Sequence, residues 1–213
     1  MKRVLLLAIL TLSVPAILHA DSKNKKAAEP AAAPADDKEI HWITSFDELQ
    51  QKMKEHPKKV YVDVYTGWCG WCKKMDASTF NNPSLIKYMN ANFYAVKFDA
   101  ERQDPINFQG EQFKFEPQYR ANTLVVRWLK GADKISYPTA VFMTENFQNP
   151  MPVPGYMTVA QIEPILSYFG DNAYKHVSWD AYLKAFKTHW DNGQPADNTP
   201  PPNHNKSQTS PGN

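Results

Sequence analysis

Cys69 and Cys72 are the only two cysteines of the chain, and two residues separate them. At that spacing two thiols can close an internal disulfide or pass one to another molecule. They end the stretch Tyr61-Val-Asp-Val-Tyr-Thr-Gly-Trp-Cys-Gly-Trp-Cys72, in which a strand-like apolar run gives way to a short turn. Lys73, Lys74, Met75, Asp76 and Ala77 follow, so a helix is predicted to start at Cys69. A thiol at a helix N-terminus sits beside unpaired N–H groups and the positive end of the helix dipole. Both favour the thiolate, which is the reactive form. Cys69 is therefore the candidate nucleophile. Cys72 is the thiol that would resolve its mixed disulfide and, one turn into the helix, should be the more buried.

Cysteine usage separates chemistry from stapling. A secreted domain held by disulfides has several paired cysteines. This single pair closes almost no loop and can stabilise little through chain entropy. Structural zinc is the other common use of two cysteines so spaced, but it takes four ligands. No second cysteine pair exists and the six histidines are scattered, so no metal and no other cofactor is expected.

Val62-Asp-Val-Tyr-Thr-Gly-Trp-Cys-Gly-Trp-Cys72 resembles the active-site strand and loop of the thioredoxin family. A second match lies about seventy residues on, at Ser136-Tyr137-Pro138-Thr139-Ala-Val-Phe-Met143, which resembles that family's cis-proline loop and following strand. Within the superfamily, Thr66-Gly-Trp-Cys69 and Asn92-Phe...Lys97-Phe-Asp99 look most like secreted bacterial thiol–disulfide interchange proteins. Trp71 replaces the proline usual before the second cysteine in thioredoxin itself, which leaves the redox potential open.

The resemblance implies roles for named residues. Asp63 stands where the family keeps a buried acid, and a buried carboxyl of raised pKa could accept the Cys72 proton. A strand Asp bound to a backbone amide is the competing reading. Tyr137-Pro138 would hold a cis bond, with the Tyr137 backbone offered to an extended substrate strand. Trp68, Gly70 and Trp71 would complete the substrate-binding lip around the thiols. Core packing competes for the two tryptophans, more so for Trp68. Lys73 and Lys74 could lower the Cys69 pKa or simply be solvated.

Around this site the chain divides by composition. Lys2 and Arg3 precede an apolar run from Val4 to Leu18, with a small residue at Ala20, so residues 1–20 read as a secretory signal peptide. An uncleaved anchor is the alternative, and the expected location is periplasmic or extracellular. Residues 21–40 are rich in Ala, Lys, Pro and Asp and read as a flexible linker, and 191–213 as a disordered tail. Residues 41–190 are one domain's worth of chain. With 24 basic and 22 acidic residues, the formal charge of +2 gives no electrostatic case for nucleic acid.

Within that domain, Ser45 heads a capping pattern with Glu48 over a helix of Phe46, Leu49 and Met53, stopped by Pro57. Lys59 to Tyr65 is the central strand, apolar on both sides and therefore covered on both. Asn82-Pro83 opens a helix and Phe93 to Phe98 is a parallel strand. Residues 100–118 read as an insertion, a hairpin with a four-residue loop, whose Phe108, Phe113 and Phe115 could wall a substrate groove or pack back onto the domain. Tyr119 to Lys130 is a predicted helix ended by Gly131. Thr139 to Thr144 and Met151 to Val153 form an antiparallel edge. Thr158 caps a helix that Pro164 should kink or split, and Ser178 to Lys187 adds an amphipathic helix through Trp179, Leu183 and Phe186.

The expected fold is a thioredoxin-like α/β domain: a central mixed sheet flanked by helices, with a hairpin insertion and a helical C-terminal extension. The expected activity is reduction of protein or peptide disulfides, recharged by a membrane or soluble thiol reductant. A disulfide oxidase or isomerase using the same pair is one rival. A redox-inactive binding module is the other. Oligomeric state is not legible in the sequence.

Overall fold

The computed structural model describes residues 37–190 of the 213. The expected signal peptide, most of the expected linker and the expected tail lie outside the described residues. The linker's last residues belong to the domain instead. Ile40 is buried, and the Asp37 carboxylate accepts a hydrogen bond from the Asn90 side chain.

The chain enters through strand β1 (Trp42–Ile43) and helix α1 (Phe46–Glu55), where the Ser45 hydroxyl accepts the Glu48 N–H. Strand β2 (Lys59–Tyr65) follows, then helices α2 (Gly70–Ala77) and α3 (Pro83–Asn92) and strand β3 (Phe93–Asp99). Next come β4 (Ile106–Phe108), β5 (Glu111–Phe113), β6 (Phe115–Glu116), β7 (Ala121–Asn122) and α4 (Thr123–Leu129). The chain closes with β8 (Thr139–Met143), β9 (Met151–Pro154), α5 (Val159–Gly170) and α6 (Trp179–Ala185). No helix among the described residues is long and apolar enough to cross a membrane.

The main sheet has the order β1-β3-β2-β8-β9, with β1, β3 and β2 parallel and β8 and β9 antiparallel to their neighbours. Helices cover both faces, giving the expected thioredoxin-like architecture. β2 is central and its first six residues are all buried, as a strand apolar on both sides requires. One face, through Val60, Val62 and Val64, packs on α1, α4 and the insertion. The other, through Tyr61, packs on α2, α3 and α5.

Several expectations need correction. The hairpin turns on two residues, not four. Ile106 pairs with Phe113 and Phe108 with Glu111, leaving Gln109 and Gly110 at the turn, both at positive φ (52° and 80°). Two such residues match the right-handed twist of the strands, and glycine adopts that conformation without steric cost. Phe115 is not part of this hairpin but pairs with Asn122 in a second small one. That pairing takes the residues before Thr123 out of the predicted helix, so α4 starts at Thr123 with the Asn122 side chain as its cap.

The C-terminal helices also differ from expectation in detail. α5 runs unsplit through Pro164. The ring removes the N–H that would meet the Ala160 carbonyl, and Ala160 is exposed, so water can serve it. In α6, Leu183 is 47% exposed, and the partly buried side is Trp179, Tyr182 and Phe186.

Candidate active site

Cys69 caps α2 at its N-terminus and Cys72 lies in the first turn, where the two sulfurs form a disulfide with Cα atoms 5.3 Å apart. The turn that delivers them is closed by the Cys69 N–H donating to the Thr66 carbonyl. The Cys69 sulfur accepts the Cys72 N–H at 3.1 Å, so an orphan donor of the helix end already points at that sulfur. Cys72 is 2% exposed and Cys69 3%, so burial does not separate the two in the oxidised form, contrary to expectation.

Asp63 is buried on β2. Its carboxylate accepts from the Lys97 ammonium at 2.6 Å, not from a backbone amide. Lys97 is its partner in the parallel β2–β3 ladder and also meets Asp76 of α2, a carboxylate 45% exposed. The rings of Trp42, Tyr65 and Phe80 surround the ammonium, at 4.9, 5.1 and 5.2 Å. Burial pushes the Asp63 carboxyl up, Lys97 opposes this, and Asp76 adds to the rise. Desolvation works against the Lys97 ammonium, but the two carboxylates outweigh it and hold its pKa above the ordinary range. Sequence reasoning gave Lys97 and Asp76 no role. The available signal was a lone lysine in an apolar strand, facing the same side as Asp63.

On the opposite rim, Trp68 is 56% exposed, so it is lip and not core, reversing the expectation that favoured packing for it over Trp71. Its indole N–H donates to Glu101 at 2.9 Å, and its ring meets Tyr137 edge-on at 5.8 Å. The Tyr137–Pro138 bond is cis, and Pro138 is buried. Burial, then Glu101 and Asp99, push the Tyr137 phenol up to about 12. Gly70 opens α2, and Trp71 beside it packs on Tyr156 at 5.2 Å. Lys74 lies over both of those rings, while Lys73 is exposed. The β4–β5 hairpin does not reach this rim. Its Phe108 and Phe113 are buried with Phe46 and Trp128 on the far face of the sheet, and Gln50 of α1 ties down Asn107 and Gln109. What the insertion gives the rim is its first residues, with Glu101 facing both Trp68 and Arg120.

A helix-capping cysteine pair, a buried carboxyl of raised pKa and an aromatic rim can together pass two electrons between sulfur atoms. Comparison with known proteins agrees on the family. The model of Thioredox_DsbH, described as a protein of unknown function (DUF255), matches residues 25–192. An uncharacterized protein of Caenorhabditis elegans is 32% identical over 68 residues, 32% of this chain and 9% of that protein. The thiol:disulfide interchange protein DsbD of Campylobacter jejuni is 29% identical over 63 residues, 30% of this chain and 11% of its own. The chain thus spans about a tenth of the length of these two relatives. Among solved structures, a thioredoxin-fold protein from Helicobacter pylori superimposes with a TM-score of 0.46 at 18% identity, covering 70% of this chain and 89% of that one.

Proposed function

The chain belongs to the Thioredox_DsbH family, and we propose on that premise that it is an exported thiol–disulfide oxidoreductase that reduces protein or peptide disulfides. The observation that carries the reading is the Cys69 sulfur at the N-terminal cap of α2, already accepting the Cys72 N–H. A thiolate formed there is stabilised by that donor and by the helix dipole.

In the reduced protein the Cys69 thiolate attacks one sulfur of a substrate disulfide. The substrate S–S bond breaks, one thiolate leaves and a mixed disulfide forms. Cys72 then gives its proton to Asp63 and attacks the Cys69 sulfur, expelling the second substrate thiolate. Two electrons pass to the substrate and Cys69–Cys72 is left oxidised, to be recharged by a membrane or soluble thiol reductant. Trp68, Gly70, Trp71 and the Tyr137-Pro138 loop bind the substrate segment. Export rests on the N-terminal sequence of residues 1–20, with a periplasmic or extracellular site of action.

The test is a trap. Cys72→Ser keeps the attack and loses the resolution, so Cys69 should accumulate in disulfide-linked adducts, while Cys69→Ser should give almost none. No adducts from the Cys72→Ser protein in its own compartment would sink exchange with proteins. The direction of flow is read from the reduction potential of the pair. A value near about −270 mV supports a reductase and one near about −120 mV an oxidase.

A further inference from the structure

The charges around the thiols are unevenly exposed. On the Trp68 side, the Glu101 side chain is 27% exposed and both of its oxygens are engaged, one by the Trp68 indole N–H and the other by Arg120. Asp99 is half-buried, and its carboxylate accepts the Glu101 N–H at 2.9 Å. Arg120 is the outermost of the three, with 67% of its side chain exposed. Its guanidinium stands 3.9 Å from Glu101, an ion-pair distance beyond hydrogen-bond reach. That leaves a planar fork of N–H donors open to a second carboxylate, which such a fork can grip with two bonds.

The fold holds Arg120 at this rim. It ends the loop of the β6–β7 hairpin, at a φ of 49° that glycine adopts more readily. Two residues on, the Asn122 N–H donates to the Ala100 carbonyl at 2.7 Å, and the Ala100 N–H donates to the Tyr65 carbonyl at 2.8 Å. The hairpin is thus bonded to the segment that carries Glu101, and that segment to the end of β2 before the cysteine turn. The Arg120 charge also acts on Tyr137, opposing the rise of its phenol pKa. On the α2 side of the thiols the exposed charge is again a cation. The Lys73 N–H donates to the Cys69 carbonyl, one helical turn back, and the Lys73 side chain is exposed. Helix side chains lean toward the N-terminus, so this one leans toward the Cys69 end.

We propose, on the reading that the site reduces protein disulfides, that its preferred substrates carry acidic residues beside the half-cystine. Arg120 on one flank and Lys73 on the other are the residues that select them. A segment held along the Tyr137-Pro138 loop passes between these two cations. Glu101 does not repel it, because the indole N–H and the guanidinium already compensate that carboxylate. A basic segment meets both cations and is rejected.

The test mixes the reduced full chain with three synthetic peptides by stopped flow. Each has one internal disulfide, and they differ only in carrying Glu, Gln or Lys on either side of the cysteine. At low salt the Glu peptide should be reduced about tenfold faster than the Lys peptide, since one exposed charge pair is worth up to about fivefold. In Arg120→Gly, a change the backbone there accepts, that ratio should fall to about threefold. Arg120→Lys should restore most of it, and Lys73→Gln should lower it by a factor like that of Arg120→Gly. In about 1 M salt, where charges are screened within about 3 Å, the ratio should approach one in the parent too. A parent ratio of one or below at low salt overturns the proposal, as does a ratio that survives high salt. So does a ratio unmoved by Arg120→Gly and Lys73→Gln. Equal rates for all three peptides sink the selection alone, whereas three peptides left unreduced sink the oxidoreductase reading and the selection with it.

Discussion

The two faces of strand β2 carry residues from the same seven-residue run and serve different ends. Val60, Val62 and Val64 point into an apolar cluster with Phe46, Phe98, Phe108 and Trp128. Tyr61 and Asp63 point the other way, where a carboxylate, an ammonium and a second carboxylate share the space under the redox helix. Burial on the first side is simply favourable, at roughly 25 cal/mol per Å² of apolar surface. Burial on the second side penalises a charge, which shows as the raised pKa of Asp63. The valine face should tolerate disturbance without loss of the proposed chemistry. The Asp63 face holds a cost to stability in the place where the proposed function needs a proton acceptor.

Three substitutions test that division, the largest effect first. Phe98→Ala removes a buried ring that packs edge-on against Phe46 and Trp128. It should lower stability by about 3–5 kcal/mol in denaturant titration, while molecules that remain folded reduce disulfides at the normal rate. A rate loss in the folded fraction would mean the faces are not separate.

Asp63→Asn should do the reverse. Resolution of the mixed disulfide, followed by stopped flow, should slow about 100-fold, the lower end of general-base contributions. Stability should rise with pH relative to the parent. A carboxyl whose folded pKa is raised binds its proton more tightly when folded, so the parent loses stability as pH climbs from the ordinary carboxylate range through the raised value. The asparagine variant escapes that loss. It should match the parent at low pH and exceed it above the raised pKa. An unchanged stability difference from pH 3 to pH 8 would contradict the buried-charge account.

Asp76→Asn is the mildest of the three. It removes a carboxylate that raises Asp63 and leaves Lys97 wholly to Asp63. The Asp63 carboxyl should titrate at lower pH, moving the stability loss to lower pH as well. Exposed pairs of this kind are worth roughly 0.2–1 kcal/mol, so the resolving rate should change by no more than about fivefold. A change as large as that of Asp63→Asn would put Asp76 in the chemistry itself.

Most of what places the cysteines was local in sequence. The apolar run of β2, the turn at Gly67 and the helix-forming residues after Cys72 act on their near neighbours, so strand, loop and capping thiol were readable without a structure. β3 and β8 were likewise readable as short apolar runs. The hairpin of residues 106–113 was legible as a hairpin but not in its register, because pairing Phe108 with Glu111 depends on which phenylalanines the α1 face accepts. Leu183 fits the apolar stripe of α6 by spacing, yet the side that finds partners is that of Trp179, Tyr182 and Phe186, which meet Tyr168 or one another.

Sequence alone placed one thiol at the cap of a helix, a second in its first turn and a carboxyl on the strand before them, because residue type and a few positions of spacing fix that much. Tertiary structure alone decided what the acid faces. Lys97 is thirty-four residues from Asp63 and Asp76 thirteen, and only the parallel pairing of β2 with β3 and the seating of α2 above them bring the three charges together. The same holds at the rim, where Glu101 captures the Trp68 indole across thirty-three residues. Side-chain chemistry travels with the sequence. The low dielectric and the distances that set its strength exist only once distant segments have packed.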